Sequence, residues 1–188
     1  MRTRWERNAD MGRSISPEEF EKLYGATVRD VLNYVRRRSH RDVEDLVAEV
    51  YAVAWRRRND LPAPMLRRPW LFGVARTLLM ADGRHQRRER ELICELATRP
   101  GPQVGTTRTD RNTTVMAEAL ARLTPNDREV LTLVAWEGLT PAELAVALGV
   151  RPGTARVRLH RARQALALDP NVRDLVEGSV PATTSATV

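Results

Sequence analysis

Between residues 140 and 163 the chain starts two helices around a single glycine, and few folds can be built from that pattern. Thr140-Pro141 supplies a capping hydroxyl and a first-turn proline, with Glu143 placed to reach back in a capping box. Leu144, Ala145 and Leu148 then face inward, and Gly149 offers the left-handed backbone of a tight turn. Arg151-Pro152-Gly153-Thr154 opens the next helix, where Val157, Leu159, Ala162 and Leu166 form an apolar side alternating with Arg151, Arg156, Arg158, Arg161 and Arg163. Two short helices joined at Gly149, the second one basic, describe a helix-turn-helix. Upstream, Leu123-Thr124-Pro125 caps a helix whose apolar side is Val130, Leu131, Leu133, Val134 and Trp136, and Gly138 terminates it.

The amino-terminal part is helical by the same criteria. Ser16-Pro17-Glu18-Glu19 is a capping box with a first-turn proline, and Phe20, Leu23, Tyr24, Val28, Val31, Leu32 and Val35 recur at helical spacing, giving a first helix to about Arg38. Asp42 is placed to cap a second helix with the stripe Val43, Leu46, Val47, Val50, Val53 and Ala54, up to Trp55. Asn59 to Pro64 breaks it, and a third helix is expected from about Pro69, burying Leu71, Val74, Leu78 and Leu79. Gly83 either ends that helix or weakens it, since helical pattern resumes through Leu92, Ile93 and Leu96. The expected fold is all-α: two small helical domains joined by a flexible linker, the carboxyl-terminal one a helix-turn-helix. The linker is Arg99 to Thr113, rich in Pro, Gly, Thr and Arg, and it can span up to about 50 Å fully extended. The modules can therefore lie well apart. A short helix after Asp169-Pro170 through Val172, Leu175 and Val176 precedes a disordered tail.

Charge points to a polyanionic partner. The 188 residues hold 31 basic and 24 acidic side chains, and the excess sits in the first ninety residues. The carboxyl-terminal part is neutral in sum but segregated, since Val150 to Leu168 carries five arginines and no acid. Lys22 is the one lysine, a balance that suits bidentate contact with phosphate and guanine and that a GC-rich coding bias would also produce. One cysteine, Cys94, excludes an internal disulfide framework, and Cys94 with scattered His40, His85 and His160 gives no metal-ligand spacing. No apolar leader and no run of 18 apolar residues is present, so the composition is intracellular and a cytoplasmic location is expected. Neither a metal nor a cofactor is expected, and no nucleophile and base are spaced for catalysis.

The size of the second basic helix fits the major groove of B-form DNA. Arg156, Val157 and His160 are assigned to base edges, and Arg151, Thr154, Arg158 and Arg161 to phosphates. Neutralising about four phosphates gives a log-log salt slope of about −3.6. The competing reading is an amphipathic helix with merely solvated arginines.

Leu123 to Leu166, especially Leu123-Thr124-Pro125, Gly138-Leu139-Thr140, Glu143-Leu144-Ala145 and Gly153 to Arg163, resembles the fourth conserved region of bacterial RNA polymerase sigma factors. Asp42 to Tyr51, followed by Arg68-Pro69-Trp70-Leu71-Phe72-Gly73-Val74-Ala75-Arg76, is similar to the family's second region. The pair, joined only by a linker, resembles the extracytoplasmic-function (ECF) group. The resemblance implies a first module that docks on the coiled coil of the polymerase's largest subunit through Asp45, Leu46, Ala48 and Glu49, with Ala48 in place of the usual glutamine. It implies minus-ten element contacts by Trp70, Arg76, Thr77, Arg84, Arg87 and Arg88, alongside Asp82, with Thr77 in place of a common asparagine. Trp70 is either a buried anchor or a stacking platform. It further implies core RNA polymerase (coiled coil and flap), promoter DNA and an anti-sigma factor as partners, and a minus-thirty-five element for the basic helix.

The domain division that follows is an extension at 1–15, region 2 at 16–98, the linker at 99–113, region 4 at 114–169 and a tail at 170–188. Without the resemblance, the acids Asp42, Glu44, Asp45 and Glu49 read as a solvated first turn or a divalent metal site. Two rivals follow: a stand-alone helix-turn-helix transcriptional regulator, and a nucleic-acid enzyme using those carboxylates with magnesium. Cys94 reads as packing or as a redox sensor.

Overall fold

The computed structural model describes the backbone of residues 15–39, 42–93 and 108–177 and the side chains of 15–39, 42–82 and 114–173. All elements among them are helices: α1 (Pro17–Arg36), α2 (Val43–Arg56), α3 (Pro64–Ile93), α4 (Arg108–Arg122), α5 (Pro125–Ala135), α6 (Pro141–Leu148), α7 (Pro152–Ala167) and α8 (Pro170–Glu177). Cys94, residues 99–107 of the linker, the first fourteen residues and the tail beyond Glu177 lie outside the described residues.

Local capping chemistry sets the starts of α1, α5 and α6. The Ser16 hydroxyl accepts from the Glu19 amide at 3.2 Å while the Glu19 carboxylate accepts from the Ser16 amide at 2.9 Å, closing the capping box. Thr140 and Glu143 repeat it at 3.3 and 2.9 Å, and Thr124 caps α5 through the Asp127 amide at 3.1 Å. Gly149 sits at φ +63°, and around it the Val150 amide donates to the Ala145 carbonyl at 2.9 Å and the Gly149 amide to Val146 at 3.1 Å. This paired closure turns the chain sharply from α6 into α7.

Two helix starts and one cap differ from the sequence expectation. The third helix begins at Pro64, not Pro69, because Pro64 takes the first-turn position where a missing N–H costs nothing. Pro69 then lies inside the helix with its ring fully buried, and packing offsets the one backbone bond it removes. Asp42 stands at the N-cap of α2 but makes no side-chain cap bond, its backbone lying at φ −23°, ψ 77°. Helix α4 starts at Arg108, inside the stretch read as linker, whereas α3 runs through Gly83 to Ile93, the second of the two alternatives left open at Gly83.

Helices α1, α2 and α3 pack around Val31, Tyr34, Val35, Val50, Ala54, Leu71 and Phe72, all essentially inaccessible. Ile15, assigned to the extension, is buried against them and donates its amide to the Arg58 carbonyl at 3.3 Å. Tyr51 shares a 2.8 Å hydrogen bond with buried Thr27, and burial pushes its phenol up to about 12. Helices α5, α6 and α7 enclose Leu133, Leu144, Ala155 and Ala162, and α4 packs on α8. The two groups are not separate bodies here: α6 packs along α3, and their buried residues form one continuous apolar cluster.

Two glycine substitutions test this account in opposite directions. Gly149→Ala is expected to destabilise the chain by about 1 kcal/mol, since alanine resists positive φ. Gly25→Ala, mid-α1 with open space around its Cα, is expected to stabilise it by about 0.5–1 kcal/mol. Urea-melt midpoints check both; a lowered midpoint for Gly25→Ala would contradict the open-space argument.

Candidate nucleic-acid interface

Helix α7 presents the basic surface because its apolar residues occupy a single narrow stripe. Ala155, Leu159 and Ala162 are buried against α5 and α6, and Leu166 is half-buried. At about 100° per residue, the direction opposite that stripe falls on Val157. Val157 is accordingly 51% exposed, so its expected place on the inward apolar side is corrected, while its assignment to the DNA-facing side is compatible with this exposure. The polar residues split about it. Arg156 and His160 lie on one flank, four residues apart, and Thr154, Arg158 and Arg161 on the other. Arg151, Gly153, Thr154, Val157, Arg158 and Arg161 line one shallow groove along the second flank.

Arg151, Arg156, Arg158, Arg161 and Arg163 are all exposed, and among the described residues none forms an ion pair. Arg151 is also the N-cap of α7 and supplies no side-chain cap, so the first-turn amides keep their donors available at the positive end of the helix dipole. Anion binding is what such a surface can do.

On the first module the candidate residues are placed less uniformly. Asp45, Ala48 and Glu49 are exposed on the outer face of α2, with Leu46 half-buried beside them, and neither carboxylate is ion-paired among the described residues. Trp70 is 5% exposed in the α3 wall that meets α6, which makes it an anchor and withdraws it as a stacking platform in this arrangement. Arg76 is half-buried and Thr77 exposed; the Thr77 hydroxyl donates to the Gly73 carbonyl at 2.9 Å and keeps its oxygen lone pairs as acceptors. Arg84, Arg87 and Arg88 lie on the α3 backbone, but their side chains are outside the described residues. Arg76 shares a cleft with Arg158 and Arg161, so cationic residues of both modules converge.

Sequence reasoning missed the polar seam between the modules. Arg37 donates to both Glu137 carboxylate oxygens at 2.7 and 2.8 Å, and Arg38 reaches the same group at 3.5 Å. Arg38 also donates to Glu129 at 2.9 Å and to Thr132 at 2.8 Å, while the Tyr34 hydroxyl donates to Glu129 at 2.6 Å. Burial, and then the neighbouring Glu129 charge, hold the Tyr34 phenol well above its ordinary value, so it remains a donor. Arg68 donates to Asp30 at 2.6 Å and twice to the Glu137 carbonyl at 3.1 Å. One available signal was Glu137 itself, an acid in the otherwise apolar run around Trp136.

Known proteins share this organisation. Residues 114–166 match the family model described as Sigma-70, region 4. The ECF RNA polymerase sigma factor SigL of Mycobacterium tuberculosis is 32% identical over 131 residues, covering 66% of this chain and 72% of SigL. The ECF RNA polymerase sigma factor SigC of the same species is 31% identical over 159 residues, covering 82% of this chain and 85% of SigC. Among solved structures, the sigma factor RpoE from Bartonella quintana, in complex with the anti-sigma factor NepR, superposes with a TM-score of 0.62 at 20% identity, over 87% of this chain and 99% of that one.

The two flanks of α7 should separate by mutation. Arg161→Ala is expected to weaken binding to cognate and scrambled duplexes alike and to make the salt slope shallower by about 1. Arg156→Ala should cost about 1–3 kcal/mol on the cognate duplex only. Fluorescence anisotropy across a salt series distinguishes them; equal losses from Arg156→Ala on both duplexes would remove it from base readout.

Proposed function

The chain belongs to the ECF sigma factors of the sigma-70 family, which direct RNA polymerase to promoters without catalysis of their own, and from that premise we propose how its surfaces divide the work. Region 2 spans 16–98, region 4 spans 114–169, and 99–113 joins them, with an extension at 1–15 and a tail at 170–188. Region 4 lays α7 in the major groove of the minus-thirty-five element. Arg156, Val157 and His160 meet base edges there, and Arg151, Thr154, Arg158 and Arg161 meet phosphates. The observation that carries this reading is the unpaired arginine face of α7 around exposed Val157.

Asp45 and Glu49, one helical turn apart on the outer face of α2, offer negative charge to a basic surface on the polymerase, with Ala48 and Leu46 as apolar contact. That surface is the coiled coil of the largest subunit, and region 4 meets the flap. Arg76, Thr77, Arg84, Arg87 and Arg88 track the non-template strand of the minus-ten element as it is unpaired, a cationic path whose contacts offset unstacking by a few kcal/mol. Trp70 supports this segment from beneath. The proposed location is the cytoplasm; among the described residues no helix is long and apolar enough to cross a membrane. An anti-sigma partner is proposed on the precedent of the RpoE–NepR complex.

Reconstitution with core polymerase and linear promoter templates tests the assignment. The unaltered chain should confer start-site-specific transcription. Asp45→Arg should weaken association with core by roughly tenfold or more, without changing helix content by circular dichroism. Unchanged co-elution of Asp45→Arg with core would remove the docking assignment.

A further inference from the structure

We propose that the cleft bordered by Arg76, Arg158 and Arg161 is a binding site for a small molecule carrying a diphosphate group, and that its occupant competes with promoter DNA for those arginines. The competition rests on the promoter assignment above; the binding site does not.

The cleft encloses about 240 Å³. Arg76 of α3 enters it from one side and Arg158 and Arg161 of α7 from another, with Val130 of α5 and Leu148 of α6 as apolar wall. Among the described residues none of the three guanidinium groups forms an ion pair. Asp127 is the one acid in the lining, and its carboxylate accepts from the Thr124 hydroxyl at 2.7 Å. One carboxylate, already bonded, does not balance three cations.

That imbalance defines the ligand. Arginine keeps its proton at any ordinary pH, so the mutual repulsion of the three groups is relieved only by an anion. A concave site with apolar walls focuses their field and strengthens the attraction. Each guanidinium is a planar fork that suits two oxygens at once. A single tetrahedral anion faces two such forks side by side, whereas two linked phosphates face all three.

Size agrees with this. Pockets for drug-sized ligands run to about 300–1,000 Å³, so this cleft holds the anionic group and not a large ligand whole. A second cavity of about 280 Å³ shares Arg76 and Leu148 with it and is walled by Val74, Leu78 and Val146. It gives an organic substituent on the diphosphate somewhere to lie.

Competition follows from a shared border. Arg158 and Arg161 line both this cleft and the shallow outer groove with Arg151, Thr154 and Val157. Their long side chains serve an anion in the cleft or phosphates along the groove, and an occupant of the first withdraws them from the second.

Isothermal titration of the full chain with inorganic pyrophosphate and with adenosine diphosphate, at about 0.15 M salt, tests the site. Binding should saturate at one site for at least one of them. Arg158→Gln and Arg161→Gln, both at exposed positions that do not threaten folding, should each weaken it by about tenfold or more. Arg163→Gln, the same charge loss on the same helix but outside the cleft, should change it less than about twofold. Tighter pyrophosphate binding identifies the free anion as the natural occupant, and tighter adenosine diphosphate binding an ester. No saturable binding, equal affinity for sulfate, or equal losses in all three variants would overturn the site. In anisotropy, the better probe at saturation should raise the Kd for the promoter duplex by about threefold or more relative to chloride of equal ionic strength. Saturable binding that leaves the duplex Kd unchanged would overturn the competition and the phosphate roles of Arg158 and Arg161, with the diphosphate site standing.

Discussion

The Glu137 carboxylate is the charge on which the joint between the two halves depends. A buried carboxylate is costly to remove from water, and only close cations with good hydrogen-bond geometry compensate for it. Arg37 meets both oxygens, Arg38 approaches one, and the Arg37 guanidinium lies 5.6 Å from the Trp136 ring centre. Such a pair is close to neutral overall against an apolar replacement, yet deleting one member costs about 3–5 kcal/mol because the other is stranded. The seam is therefore selective without being strong. It specifies one relative placement of the modules while leaving little net energy to hold them there.

Local signals were legible in the sequence wherever the deciding atoms lie a few residues apart. Ser16 with Glu19, Thr140 with Glu143, Thr124 with Asp127, and Gly149 formed as expected, since each reports a bond whose partners are covalently close. The two prolines of α3 show the limit: either can open a helix, and only burial of the Pro69 ring decides for Pro64. Val157 misled for a different reason. Apolarity suggested burial, but at about 100° per residue it stands about 160° from Leu159 and cannot share its face. Arg37 and Glu137 are a hundred positions apart and carry no pattern that links them. Of the candidate site, the α7 face was legible from periodicity and charge, the outer face of α2 only through the family resemblance, and the covering of α3 by α6 not at all.

Charge segregation is what permits the division of surfaces. The outer face of α2 is acidic and that of α7 basic, and among the described residues neither finds a counter-charge. In a chain where these faces met, they would neutralise each other and lose their partners. Here the inter-module contacts use a different set, Arg37 and Arg38 with Glu129 and Glu137, and Arg68 with the Glu137 carbonyl, leaving both outer faces available. The net charge of +7 conceals this arrangement entirely.

Gly73 connects the stability of one helix to the placement of the other module. A glycine inside a helix costs about 1 kcal/mol relative to alanine, whether the modules touch or not. Only when α6 lies on α3 does the missing Cβ return anything, because the Ala147 carbonyl then occupies its place. The packing of α6 on α3 and the ion pairs of the seam offset that penalty. The placement of α6 on α3 is thus set by a few residues on α1, α3 and α5 that are distinct from the exposed faces of α2 and α7.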